Sequence, residues 1–174
     1  CNFRRYIMSW ESGRSWPTQE LQNSKKKLTG LINLLDEFGN EPPEVSSELA
    51  RFLVVRSTGY VEHLFDTCIQ CFAEAHSHRF IAGHVESGLH KGRNVKPDTL
   101  LDRIKPFSDE WHKDLKDYFD ADDCVVRREL SFMVDRRNRI AHGMNESINR
   151  QKALYLANLA LDVGDVLTDI MDPR

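Results

Sequence analysis

Residues 136–143 read RRNRIAHG, and three of them have the types and the spacing for chemistry on a phosphodiester. His142 carries the side chain best able to exchange protons near neutral pH. Arg137 brings a permanent charge and a planar fork of donors that fits phosphate oxygens. Asn138 and His142 are four apart and share a helix face, and Arg137, one position before Asn138, reaches the same edge with its long side chain. Gly143 is a natural helix stop, so His142 falls in the last turn, where the negative end of the helix dipole favours imidazolium. Such a corner suits RNA cleavage without a metal. A base takes the ribose 2′-hydroxyl proton, the oxygen attacks the adjacent phosphorus, an acid protonates the leaving 5′-oxygen, and fixed positive charge stabilises the crowded phosphorane. One histidine per chain does not obviously supply both proton transfers. Two histidines meeting across a shared groove would, and the twofold homodimer is the commonest closed assembly. The bland alternative is a surface ion pair at Arg137, a solvated Asn138 and a helix-end cation at His142.

The elements that must position this corner are helices. Pro17 suits a first helical position, and Leu21, Leu28, Leu31, Ile32, Leu35 and Phe38 recur at helical spacing until Gly39 and Pro42-Pro43. A long second helix follows Pro43, with Leu49, Leu53, Tyr60, Leu64 and Cys68 in period and Gly59 its one breaker. Gly83, Gly88, Gly92 and Pro97 predict broken helix and loop between His78 and Lys96. A short helix over DTLLDRIKPF and one capped by Ser108 come next. Val125, Leu130, Met133, Val134 and Ile140 then form the buried stripe of the helix that ends at Gly143. A last helix, capped by Asn145 or Ser147, runs through Leu154, Leu161 and Ile170. No stretch shows sustained strand alternation. The expected fold is all-α, a bundle of four to six helices in a single domain over residues 1–174, with an irregular extension at 1–16 and a small insertion at 78–107.

Composition narrows the function classes. A chain of 174 residues, 40% hydrophobic and 29% charged, has the balance of a globular protein able to bury a core. No apolar run approaches a membrane span, and the N-terminal residues do not read as a secretory signal, so a cytoplasmic protein without membrane attachment is expected. The Cys1 start points to a processed or truncated end. Four sparse cysteines, Cys1, Cys68, Cys71 and Cys124, do not make a disulfide framework and read as reduced thiols. Cys68, Cys71, His76 and His78 would span more than two turns of one helix, too far for a single ion, so no metal and no cofactor are expected. The formal net charge of −3 argues against indiscriminate coating of nucleic acid. Arg127, Arg128, Arg136, Arg137 and Arg139 against Glu129 and Asp135 nonetheless make a local basic surface that a phosphate backbone would seek, or an ordinary solvated face. The loop GLHKGRN, with His90, Lys91, Arg93 and Lys96, lacks P-loop spacing but can meet RNA or a partner.

These residues also carry a resemblance. Arg137-Asn138, three residues, then His142-Gly143, at the end of a long helix in the C-terminal half, resembles the R-(four to six residues)-H signature of the HEPN superfamily (higher eukaryotes and prokaryotes nucleotide-binding domains). The phrase LARFLVVRSTGYVEHLF, with Arg56, Gly59, Tyr60 and Glu62, resembles the second-helix phrase of its RiboL-PSP branch. The resemblance implies a helical bundle, dimerisation through the motif helices, metal-independent endoribonuclease activity on RNA, and a toxin or antiviral defence role with an antitoxin or other regulatory partner. Some toxin members carry a tyrosine two residues after the histidine as a site of regulatory modification; Met144 stands there in this chain, which speaks against that control.

The second helix offers supporting residues. Arg56 and Tyr60 are four apart and share a face, while Glu62 is offset from it. Glu62 can orient Arg137 or His142 through a charge-assisted hydrogen bond, or belong to a structural Arg–Glu pair within the bundle. Gly59, costly in mid-helix, suggests close approach of another helix. Two readings from other classes stay open: a catalytically silent interaction module whose polar corner binds a nucleotide or protein, and plain structural dimerisation for which the corner is dispensable.

Overall fold

The computed structural model describes residues 15–37, 42–89, 94–144 and 147–174; Cys1, Phe38, Gly39, His90, Lys91, Gly92, Arg93 and Asn145 lie outside them. Its helices are α1 (Gln19–Glu37), α2 (Pro43–His76), α3 (Arg79–Gly88), α4 (Pro97–Ile104), α5 (Asp109–Asp120), α6 (Val125–Ala141) and α7 (Arg150–Ile170), and the described residues contain no strand.

The order follows from where apolar residues fall on each helix. α2 is the axis, because its apolar residues cover several faces: Leu53, Val54, Val61, Phe65 and Cys68 are fully buried. Ser57 and Thr58 are buried among them, and their hydroxyls donate back to the carbonyls of Leu53 (2.8 Å) and Val54 (3.0 Å), which removes the cost of hiding them. α7 packs along α2 with a small-residue stripe, Ala157, Ala160 and Gly164, flanked by Leu156, Val163 and Leu167. α6 adds Leu130, Met133 and Val134, while α4 and α5 close the remaining side with Leu100, Ile104, Leu115 and Phe119. Each such large side chain, taken fully out of water, stabilises the fold by about 1.5–3 kcal/mol before entropy is counted.

Several sequence expectations shift. Pro17 precedes α1, whose first turn is capped at Thr18, where the hydroxyl accepts from Leu21 N at 3.3 Å. The Trp16 indole donates to the Thr168 carbonyl at 3.0 Å and ties the start of the described chain to α7. The segment after His78 is helical as far as Gly88, because the His78 ring caps Phe80 N and both Gly83 and Gly88 face solvent. Asn149, rather than Ser147, caps α7, accepting from Lys152 N at 2.8 Å. Ser108 caps α5 as expected, accepting from Trp111 N at 3.2 Å.

The corner between α5 and α6 is unusual. Asp122, Asp123 and Cys124 all have left-handed backbone, with φ of 47°, 55° and 58°. Such conformations cost L-residues roughly 1–2 kcal/mol each, less for aspartate, so neighbours must hold them. Arg128 Nη1 donates to the Asp123 carbonyl at 2.5 Å, and Cys124 N donates to the Ala121 carbonyl at 2.9 Å. Arg127 ties the same corner down, donating to Asp120 at 2.9 and 2.7 Å and to Asp98 at 2.5 Å.

Candidate functional site

The site forms where the C-terminal end of α6 leaves the middle of α2. α6 stops because Gly143 takes φ 73°, and His142 is its C-cap, donating its backbone N–H to the Asn138 carbonyl at 3.0 Å. The His142 side chain is exposed and has no partner among the described residues. Arg137 leans back toward α2. Its Nη1 donates to Asn138 Oδ1 at 3.1 Å, and its Nη2 lies 3.6 Å from Glu62 Oε2, an ion pair too long to be a hydrogen bond. The Arg137 side chain remains 37% exposed, so one flank of its guanidinium still faces water.

Glu62 is the pivot on α2. Burial pushes its carboxyl above the usual range and Asp66 adds to this, while Arg137 and Arg103 oppose them. Asp66 in turn is buried and paired with Arg103 of α4, whose guanidinium also lies 4.6 Å from the Phe65 ring centroid. Two acids of α2, Glu62 and Asp66, are therefore flanked by one cation from each side, Arg137 of α6 and Arg103 of α4. Sequence reasoning missed Asp66 and Arg103. The signal was present: two acids four apart in the buried middle of a helix repel each other unless cations arrive from elsewhere.

The remaining expected residues divide. Arg56 and Tyr60 do not join Glu62; both border the groove between α1 and α2, around the helix from the Glu62 edge. The Tyr60 ring is buried and points at α7, so that a Cβ on Gly164 would fall 2.5 Å from its hydroxyl oxygen. Burial, with Asp165 and Cys68 nearby, drives its hydroxyl well above its ordinary pKa. Gly59 does not mark a close helix approach, since a Cβ there would meet nothing within 4 Å. Of the four basic candidates, Arg127 is committed to Asp120 and Asp98, and Arg128 binds the Asp123 carbonyl. Arg136 lies 4.7 Å from the Phe132 ring centroid, and Arg139 is exposed. The two carboxylates locally offset the charge of Arg127.

No three histidine, cysteine or acidic side chains among the described residues converge as metal ligands. Cys68 sits in the core, where burial pushes its thiol up, and His76 Nε2 lies 2.9 Å from the Pro173 carbonyl oxygen, at the other end of the chain. No described helix is long and apolar enough to cross a membrane.

An all-helical bundle with this arginine–asparagine–histidine corner at the end of its sixth helix defines a HEPN-type domain. The chain belongs to the RiboL-PSP-HEPN family, whose model matches residues 19–172, a span that takes in all seven α-helices of the described residues. No curated protein and no solved structure matches it. Membership places the chain among nucleotide-binding or ribonuclease-type domains.

Proposed function

We propose that the chain is a metal-independent endoribonuclease acting as a twofold homodimer, with Arg137, Asn138 and His142 of both protomers lining one groove. The observation that carries this reading is the end of α6, where an exposed imidazole and a half-exposed guanidinium share one corner and Asn138 and Glu62 orient the arginine. One imidazole accepts the 2′-hydroxyl proton. The 2′-oxygen to phosphorus bond forms and the phosphorus to 5′-oxygen bond breaks. The partner's imidazolium gives its proton to the 5′-oxygen, leaving a 2′,3′-cyclic phosphate and a 5′-hydroxyl. Arg137 neutralises charge on the phosphorane. Arg128, Arg136 and Arg139 supply the basic surface for the strand. The setting is cytoplasmic, in a toxin or antiviral defence role, with an antitoxin or other regulatory partner restraining the activity, and residues 1–174 act as one domain.

The test is incubation of end-labelled single-stranded RNA with the protein in excess EDTA, beside Arg137→Ala and His142→Ala variants of verified fold and oligomeric state. Cleavage leaving cyclic phosphate ends and abolished by either substitution supports the proposal. EDTA-resistant cleavage that survives both substitutions refutes it.

One observation favours a second reading. Arg137 already has two partners within its own chain, and His142 faces open solvent, an arrangement that a catalytically silent nucleotide- or protein-binding module tolerates equally well. Absence of cleavage across diverse RNAs, with retained binding through the same corner, supports that module.

A further inference from the structure

The second helix-face phrase of the sequence leads away from the α6 corner. Arg56, Gly59 and His63 of α2 and Glu20, Lys27 and Leu28 of α1 line a groove of about 680 Å³, within the usual size range of small-ligand sites. Three observations bear on its use. Arg56 has no hydrogen-bond or ion-pair partner among the described residues, although it lines the same groove as Lys27. Gly59 forms bare floor: a mid-helix glycine weakens a helix, and no neighbouring atom occupies the space a side chain would fill. The groove is also polarised lengthwise. His63 pairs with Glu20 at 3.3 Å at one end, and each is seven residues from its helix-mate at the other end, Arg56 and Lys27. Seven residues of helix span about 10 Å.

We infer that this groove is a second ligand site, separate from the α6 corner, for a phosphate monoester of nucleoside-monophosphate size. The Arg56 fork and the Lys27 ammonium take the phosphate, in the bidentate-plus-point-charge manner that suits its oxygens. The uncharged body lies over Gly59 and Leu28, and its far polar edge meets Glu20 and His63, which offer acceptor and donor about 10 Å from the phosphate end. A phosphate monoester bridges a cationic end and a mixed polar end; a simple anion fills only the first, and an uncharged nucleoside only the second. The inference does not depend on RNA cleavage.

Isothermal titration of the full chain with adenosine 5′-monophosphate, adenosine, inorganic phosphate and a short single-stranded oligoribonucleotide tests it, with Arg56→Gln, Lys27→Gln, Gly59→Leu and Arg137→Ala variants checked for cooperative melting no lower than that of the wild type. Saturable binding of the monophosphate is expected, at least about tenfold tighter than of adenosine or phosphate, the scale of losing charge-assisted hydrogen bonds. Arg56→Gln and Gly59→Leu weaken it about tenfold or more, Lys27→Gln does so less, and Arg137→Ala leaves it within about twofold. Any of three results overturns the assignment: no saturable binding of the monophosphate, binding lost in Arg137→Ala but kept in Arg56→Gln, or an Arg56-dependent affinity for the oligoribonucleotide alone. The last would make the groove a strand-binding surface. Failure of RNA cleavage, by contrast, leaves these titrations unaffected.

Discussion

Two glycines, one on each of the central helices, give a matched pair of substitutions with opposite expected signs. A Cβ added to Gly59 meets nothing within 4 Å. Gly59→Ala therefore gains helix propensity alone, up to ~1 kcal/mol, which for a chain of this length raises Tm by ~2–4 °C. A Cβ added to Gly164 falls 2.5, 2.8 and 2.9 Å from the Oη, Cε1 and Cζ of Tyr60. Ordinary contact begins near 3.4 Å, so ring or helix must yield by 0.9 Å, which is 3.4 less 2.5. Tyr60 is only 5% exposed and has little room to do so. Overpacking of a tight core costs about 1–3 kcal/mol, which outweighs the same propensity gain. Gly164→Ala should thus melt below Gly59→Ala by ~4–8 °C if the steric cost is about 2 kcal/mol. Thermal and urea unfolding by circular dichroism, at one protein concentration because a dimer's Tm depends on it, reads the difference. Adding Tyr60→Leu should recover about 1 kcal/mol or more as coupling in a double-mutant cycle. If Gly164→Ala instead gains as much as Gly59→Ala, the ring does not lie on α7, and the assignment of Arg56, one turn away, to the α1 groove falls with it.

Other expectations follow from the site. Burial holds the Glu62 carboxyl above its ordinary value, so the folded state binds that proton more tightly than the unfolded one. Stability contributed here is present at low pH and is lost as pH rises from about 4.5 through the raised value, and Glu62→Gln should flatten that slope in urea titrations across pH; an identical slope in the variant would sink the claim. Arg127→Ala should loosen the α5–α6 corner and lower Tm, yet leave the salt dependence of RNA binding unchanged, whereas a true phosphate contact would reduce the log–log slope by about one. Mixing wild type with excess His142→Ala protein, under conditions that allow subunit exchange, should depress specific cleavage below simple dilution if each groove needs both histidines; strict proportionality to wild type points to a self-sufficient protomer.

Much of the fold is legible in the sequence, for identifiable reasons. α2 reads clearly because its apolar positions keep the helical period from Leu49 to Cys68, and the Ser108 cap and the Gly143 stop are local chemistry that needs no tertiary context. α3 is less legible because its glycines lie on a solvent-facing side, where they weaken a helix without ending it. That Arg137 and Asn138 meet at the end of α6 is readable from spacing, as is the offset of Glu62 from Arg56 and Tyr60. Which neighbour each face of α2 meets is not readable, because that depends on packing: Gly164 admits the Tyr60 ring, and Asp66 recruits Arg103 from a segment more than thirty residues on. The commitment of Arg127 is likewise a tertiary fact, set by Asp98 and Asp120.

The left-handed corner at Asp122, Asp123 and Cys124 has a further consequence for α6. A helix turns by about 100° for every residue that enters it, so the place where its screw begins sets the compass bearing of every side chain along it. α6 takes its bearing from three residues wound the opposite way and pinned by Arg127 and Arg128. One residue added or removed at that corner would swing Arg137 about 100° away from Glu62 while leaving the composition of the site untouched. Length changes after Gly143 have no such effect, because the helix has already ended. The spacing that matters for this site therefore runs upstream as well as between arginine and histidine: the count of residues from the corner to Arg137 is as much a part of its geometry as the side chains themselves.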